Sequence, residues 1–136
     1  MGTSRFALPF EVRDYECDLQ GIVNNAVYQQ YLEHARHQFI KSRGLDFAEL
    51  TARGIHLVVV RAEIDYKCPL RSGDGFVVEL ALERLSPVRC KFRQDIHRLP
   101  DKKLILNAAF VCAAMDGRGK PMLLKAVDAL FSDGAG

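Results

Sequence analysis

From Ile55 to Asp116 the sequence alternates almost continuously between apolar and polar side chains, and it breaks only at turn-forming clusters. A period of two puts successive side chains on opposite faces of a strand. This half of the chain is therefore expected to form a sheet. Val58, Val60, Ala62, Ile64 and Tyr66 should share one face, against Val59, Arg61, Glu63, Asp65 and Lys67 on the other. Phe76, Val78, Leu80 and Leu82 repeat the pattern, as do Val88, Cys90, Phe92, Gln94 and Ile96. Leu104 to Met115 is apolar on both faces, as expected of a strand covered on both sides. The breaks fall at Arg71–Gly75, Ser86–Pro87, Pro100–Asp101 and Asp116–Gly119, all compositions that favour turns. Strands joined by short turns are expected to be antiparallel neighbours.

A sheet with one apolar face needs a cover, and one long helix is available. Between about Asn25 and Arg43, Tyr28, Tyr31, Leu32, Ala35 and Phe39 recur at helical spacing. Gly44 suits the position just past the helix. Asp46 is placed to cap a second, short helix from Phe47 to Ala52. Upstream, Phe6, Leu8, Phe10 and Val12 alternate as a first strand, which Pro9 assigns near an edge. Lys125 to Phe131 reads as a short terminal helix, and the closing Gly-Ala-Gly should fray. The expected class is α+β, with a five-stranded antiparallel sheet against one long helix. A length of 136 residues supports a single domain over 1–136.

Composition narrows the function classes. A net charge of +2 is too small to argue for nucleic acid. No apolar run is long enough to span a membrane, and the N-terminus lacks the apolar core of a signal peptide. The cysteines at 17, 68, 90 and 112 form no Cys-x-x-Cys pair and sit in apolar-patterned segments. They read as small buried hydrophobes in a reducing, cytoplasmic compartment. His34 and His37 are three residues apart, not the four of a helical zinc site, and Glu33 with Arg36 reads as a helix-surface pair. No metal or cofactor is expected.

The chemistry-bearing stretch is Asp18-Leu19-Gln20-Gly21-Ile22-Val23-Asn24-Asn25, which leads into the long helix. Gly21 permits a tight turn. Asn24 or Asn25 supplies an N-cap. A helix N-terminus offers unpaired N–H groups and partial positive charge. A carboxylate thus lies next to an anion-stabilising cradle, although an Asp before a Gly turn is by itself ordinary turn chemistry.

Asp18-x-x-Gly21-Ile22-Val23-Asn24-Asn25-x-x-Tyr28-x-x-Tyr31 resembles the signature of hotdog-fold acyl thioesterases of the 4-hydroxybenzoyl-CoA thioesterase type. Val12–Glu16 and Pro69–Asp74 extend the resemblance, which is strongest to the plant acyl-lipid and methylketone-synthase thioesterases and their bacterial relatives. It implies a sheet curled around the long helix and a catalytic role for Asp18, as nucleophile or as general base. It further implies an oxyanion and substrate site around Gly21, Ile22, Val23, Asn25 and Tyr28. The aryl-specific relatives carry tyrosine where this chain has Asn25, so only a backbone role carries over there. Arg89-x-Lys91-Phe92-x-Gln94 resembles a segment that contacts coenzyme A phosphates; taken alone, Arg89, Lys91 and Arg93 read as a solvated strand face.

The implied activity is hydrolysis of an acyl-CoA or acyl carrier protein thioester. The resemblance implies a homodimer at minimum, and a homotetramer. Two other readings compete. A hydratase or dehydratase of the same fold would pair a His, such as His56 or His97, with a carboxylate. A non-catalytic acyl-CoA-binding protein would need no such chemistry.

Overall fold

The computed structural model describes residues 3–131. The strands are β1 (Thr3–Glu11), β2 (His56–Tyr66), β3 (Gly75–Arg84), β4 (Arg89–Leu99) and β5 (Leu104–Met115). The α-helices are α1 (Asn25–Ser42) and α2 (Phe47–Ala52), and 3₁₀ turns cover Asp14–Glu16 and Leu124–Phe131. The C-terminal Gly-Ala-Gly, read above as frayed, lies outside the described residues.

The five strands form one antiparallel sheet in the order β1-β3-β4-β5-β2. Only part of the neighbour rule holds. β3, β4 and β5 pair in sequence, but β2 pairs with β5 and not with β3. The short connection after β2, residues 67–74, therefore crosses from one side of the sheet to the other. It can do so because it passes under the N-terminus of α1, where Leu70 is fully buried and Val23 N–H donates to Leu70 O at 2.9 Å.

Helix α1 lies against the inner face. Tyr28, Tyr31, Leu32, Ala35 and Phe39 are buried as their spacing predicts, and Arg36 and Ile40 join them. Phe39 meets Phe6 edge-on at 5.8 Å and Phe92 at 6.1 Å between ring centroids, which ties the helix to both β1 and β4. Such pairs add about 0.5–1.5 kcal/mol beyond the area they bury.

In β2 the expected face is only half right. A bulge between Val59 and Arg61 shifts the register, so that Leu57 and Val59 fall on the same face as Ala62, Ile64 and Tyr66. The extra residue flips the alternation at Val60, which plain counting cannot anticipate. Strand β5 lies between β4 and β2, but its outer positions Asn107, Ala109 and Val111 are only half-buried. The charged side chains of β2 and β4 flank them there, and no second layer covers them among the described residues.

The cysteines divide into two classes. Cys90 and Cys112 face each other across β4 and β5 as free thiols in the core, and burial pushes them up to about 12 and about 11. Cys17 and Cys68 are half-buried near the start of α1. A thiolate-directed reagent at pH 8 is expected to label Cys17 and Cys68 in the native protein and to reach Cys90 and Cys112 only on unfolding. Mass spectrometry of the labelled peptides reads this out; equal labelling of all four in the native state would mean the inner face of β4 is open.

Candidate active site

The loop before α1 folds back on itself. Cys17 bridges to Val23, Asp18 N–H donates to Ile22 O at 2.8 Å, and Asn24 N–H donates to Glu16 O at 3.3 Å. The reversal is closed by Gly21 N–H donating to Asp18 O at 3.0 Å, and Gly21 takes φ +78°, a conformation costly for any residue with a Cβ. Asp18 thereby sits beside Ile22, and Ile22 itself lies three residues before Asn25, at most about 10 Å from it along the chain.

The Asp18 carboxylate is exposed and used on one side only. Oδ1 accepts from Gln20 N–H at 2.9 Å and, at the longer distance of 3.4 Å, from Ile22 N–H. Oδ2 has no partner among the described residues. Turn chemistry and reactivity are thus not exclusive here, because one oxygen holds the turn and the other faces out.

The cap is Asn24, whose Oδ1 accepts from Ala26 N–H at 2.9 Å with the backbone extended at φ −69°, ψ 145°. The N–H groups of residues 22–25 are not equivalent. Ile22 points to Asp18, Val23 donates to Leu70 O, and Asn24 donates to Glu16 O. Asn25 N–H alone of the four has no acceptor among the described residues. The cradle expected over Ile22–Asn25 therefore narrows to Asn25, with Val23 excluded as a donor because the crossing segment uses its amide.

Asn25 borders a cavity of about 270 Å³ between the start of α1 and the end of β2. Ile22, Val23 and Tyr28 line one side, and Tyr66, Lys67 and Cys68 the other. The Tyr28 hydroxyl accepts from Leu70 N–H at 2.8 Å, and its ring packs against Tyr66 at 5.6 Å. Burial pushes the Tyr28 phenol up, so it stays neutral at physiological pH. Gly21 shapes the turn and does not line the cavity. Tyr66, Lys67 and Cys68 were not singled out from the sequence. The signal for them was the adjoining Pro69–Asp74 resemblance, which marks the segment that crosses beneath α1.

Arg89 and Lys91 lie elsewhere. They pair with Ala113 and Val111 and share the outer face with Arg93, which is bound to Glu83 at 3.1 Å. The α1 N-terminus is near the other end of the sheet, where Tyr66 pairs with Leu106 and Leu106 with Ile96. Seven strand residues, about 23 Å, separate Ile96 from Arg89. One chain does not bring these cations to Asp18. Lys67, on the cavity wall, and Arg71, bridged to Ile22, are the cations that lie close.

No histidine lines the cavity. His56 pairs with Met115 at the far end of β2, and His97 lies beside Glu79 across from β3. On the other flank of α1 a cleft of about 820 Å³ runs along β1, and Tyr31 O–H donates to Glu16 Oε1 within it at 2.8 Å. Neither Asp18 nor Asn25 lines that cleft. Among the described residues no cluster of three or more His, Cys, Asp or Glu is arranged to hold a metal ion.

A five-stranded antiparallel sheet in this order around one long helix, with a carboxylate-bearing turn at the helix N-terminus, defines a hotdog protein. Residues 12–130 match the Thioesterase-like superfamily, and the chain belongs to it. It is 38% identical over 122 residues to the acyl-acyl carrier protein thioesterase ATL3, chloroplastic, of Arabidopsis thaliana, an alignment that covers 89% of this chain and 64% of that protein. It is 32% identical over 104 residues to the long-chain acyl-CoA thioesterase FadM of Escherichia coli, covering 75% of this chain and 78% of that one. The fold superposes on the crystal structure of a hypothetical protein from Aquifex aeolicus with a TM-score of 0.86 at 30% identity, covering 93% of this chain and 99% of that one. The chain spans a little under two thirds of the length of the plant relatives it matches. No helix among the described residues is long and apolar enough to cross a membrane.

Proposed function

We propose that the protein hydrolyses an acyl thioester of coenzyme A or of acyl carrier protein to the free acid and thiol. The observation that carries this reading is the presence, on one folded-back loop, of an Asp18 carboxylate oxygen and an Asn25 N–H that both have no hydrogen-bond partner among the described residues. Asp18 supplies the chemistry in one of two ways. It attacks the thioester carbonyl carbon, expelling the thiolate and leaving an acyl-enzyme anhydride that water then cleaves, or it takes a proton from the attacking water. Both need the same oxyanion support, which Asn25 N–H provides at the positive end of α1. The leaving thiol has a pKa near that of cysteine, about 8.5, so it departs without a general acid. That is why one carboxylate suffices for a thioester where an amide would need more.

Names of relatives support both carriers, ATL3 acting on acyl carrier protein thioesters and FadM on long-chain acyl-CoA. Lys67 and Arg71 are the cations of the same chain best placed for a carrier phosphate. Arg89 and Lys91 serve a phosphate only in a site completed by a neighbouring subunit. The resemblance to hotdog thioesterases implies assembly as at least a homodimer, and as a homotetramer, which would supply such neighbouring subunits. The edge strand β2 favours it, since Val58, Val59 and Val60 remain 39%, 43% and 40% exposed beside an unpaired backbone edge. The reading keeps a cytoplasmic compartment and no nucleic-acid partner.

The hydratase reading is disfavoured because no histidine lines the cavity beside Asn25. The test is free-thiol release from short, medium and long acyl-CoAs, acyl carrier proteins, and benzoyl- and hydroxybenzoyl-CoA. Turnover of any of them, without added cofactor, is expected. Well-folded protein that binds an acyl-CoA yet releases no thiol from the whole panel would replace hydrolysis with the binding-only reading.

A further inference from the structure

The amides of Val23 and Asn24 go to two acceptors, and a tyrosine of α1 holds each acceptor in place. Val23 N–H donates to Leu70 O at 2.9 Å, and Leu70 N–H donates to the Tyr28 hydroxyl at 2.8 Å. Asn24 N–H donates to Glu16 O at 3.3 Å, and the Tyr31 hydroxyl donates to Glu16 Oε1 at 2.8 Å. Asn25 N–H is the one of residues 22–25 left without an acceptor among the described residues. The Tyr28 link belongs to the wall of the cavity beside Asn25. The Tyr31 link lies on the other flank of α1, in the cleft along β1, which neither Asp18 nor Asn25 lines.

A buried tyrosine hydroxyl usually finds a partner, and Glu16 would serve for that alone. Three observations give the pair more to do. Tyr31 is itself held firmly. Its buried ring packs on Phe76 at 4.8 Å and on Phe10 at 5.5 Å between centroids, so its hydroxyl is a fixed point of the core. Glu16, next, is tied to the start of α1 twice, by its carbonyl through the cap residue Asn24 and by its carboxylate through Tyr31. The same Oε1 accepts from Arg13 N–H at 2.8 Å, which fastens the turn over Asp14–Glu16 to it. Finally, the two groups of the site leave from this point on separate arms. Asp18 is two residues beyond Glu16 on one arm, and Asn25 follows Asn24 on the other. The Asn24–Glu16 bond that joins the arms is long, at 3.3 Å against about 2.9–3.0 Å for most N–H···O bonds, so a small movement of Glu16 breaks it.

Resting on the hydrolase reading above, we propose that Tyr31 and Glu16 are positioning residues, whose hydrogen bond sets the placement of the Asp18 carboxylate relative to the Asn25 N–H. Neither residue lines the cavity beside Asn25. Without the hydroxyl, Glu16 keeps its bond to Arg13 N–H but loses its side-chain anchor on the helix. The arm that carries Asp18 then shifts against the start of α1. A misplacement of about 1 Å, caused by a change remote from the chemistry, can cost about 10²-fold in rate. The cavity wall formed by Tyr28 and Tyr66 stays as it is, so the loss falls on kcat and not on KM.

The test uses Tyr31→Phe, Glu16→Leu, Glu16→Gln and the double variant Tyr31→Phe/Glu16→Leu. Thiol release from the best thioester, a thermal melt and an amide NMR spectrum are recorded for each. Phenylalanine keeps the ring and removes only the hydroxyl. Tyr31→Phe is expected to lose about tenfold in kcat, with KM within about twofold of wild type. Glu16→Leu should lose at least as much, and the double variant no more than Glu16→Leu, because Tyr31→Phe then has no bond left to remove. Glutamine keeps an oxygen that accepts from Tyr31 and Arg13, so Glu16→Gln should recover most of what Glu16→Leu loses. A tyrosine that only fills the core would lower the melting temperature without this pattern in kcat. In the Tyr31→Phe spectrum the amides of Asp18, Gln20, Ile22 and Asn25 should move while those of α2 stay in place. A Tyr31→Phe kcat within about twofold of wild type, or losses that multiply in the double variant, would overturn the proposal. Absence of thiol release by wild type, or an Asp18→Asn variant as fast as wild type, is instead failure of the hydrolase reading. The spectra then decide on the Tyr31–Glu16 link alone, and unmoved amides over residues 18–25 overturn it.

Discussion

Asp18→Asn is expected to lose about a hundredfold or more in kcat on the best thioester with almost no loss of stability, the effect of removing a principal acid–base or nucleophilic group. The substitution suits the site. Asp18 holds its turn through Oδ1, which accepts from the Gln20 and Ile22 amides. Asparagine keeps an oxygen in that place, so the reversal at Gly21 survives and only the charge and the reactivity of the second oxygen disappear. Asp18→Ala would remove both and confuse the two effects. Steady-state thiol release and a thermal melt on the same sample decide the matter. A variant with unchanged melting and unchanged kcat would leave Asp18 as a turn residue only, and the reacting carboxylate would have to be sought elsewhere, with Glu33 on the helix the first candidate.

Asn25→Pro should be nearly as damaging, for a different reason. Asn25 is the first residue of α1, where proline is well tolerated because the N–H at that position has no partner inside the helix. The preceding residue must be extended, and Asn24 already is, at φ −69° and ψ 145°. Proline therefore deletes one N–H and little else. If that N–H stabilises the oxyanion, the cost is about 3–4 kcal/mol at the transition state, or ~10²–10³ in kcat. Asn25→Ala, which changes the side chain and keeps the N–H, should stay within a few-fold of wild type. Equal activity of the proline and alanine variants would remove the backbone of Asn25 from the mechanism.

Both variants bear on residues that the sequence made visible, but not equally well. Asp18 and the Gly21 turn were legible because a carboxylate, a glycine and an Asn cap before a helical stripe are all local features. Which amide was left without an acceptor was not legible. Val23 is excluded by Leu70, and Leu70 reaches it only because residues 67–74 cross beneath the helix. Tyr28 read from its spacing as core, and as site only by resemblance; its hydroxyl is fixed by Leu70 N–H, a contact between residues 42 apart. The basic ladder of Arg89, Lys91 and Arg93 was seen correctly as one face of a strand, yet its distance from Asp18 depends on where β4 lies in the sheet.

What the sequence determined alone is governed by a short period or a local cap: α1 with its buried stripe and Asn24 cap, α2 with its Asp46 cap, and strands β3 and β4 with their inward faces. These depend on neighbours within a few residues, which one chain read linearly contains. The tertiary structure decided the strand order, the bulge in β2, the burial of Arg36 and which amide of residues 22–25, that of Asn25, is left without an acceptor among the described residues. Each of these is settled by which distant group takes a hydrogen bond or a packing site first. That competition is resolved only when the sheet closes on the helix.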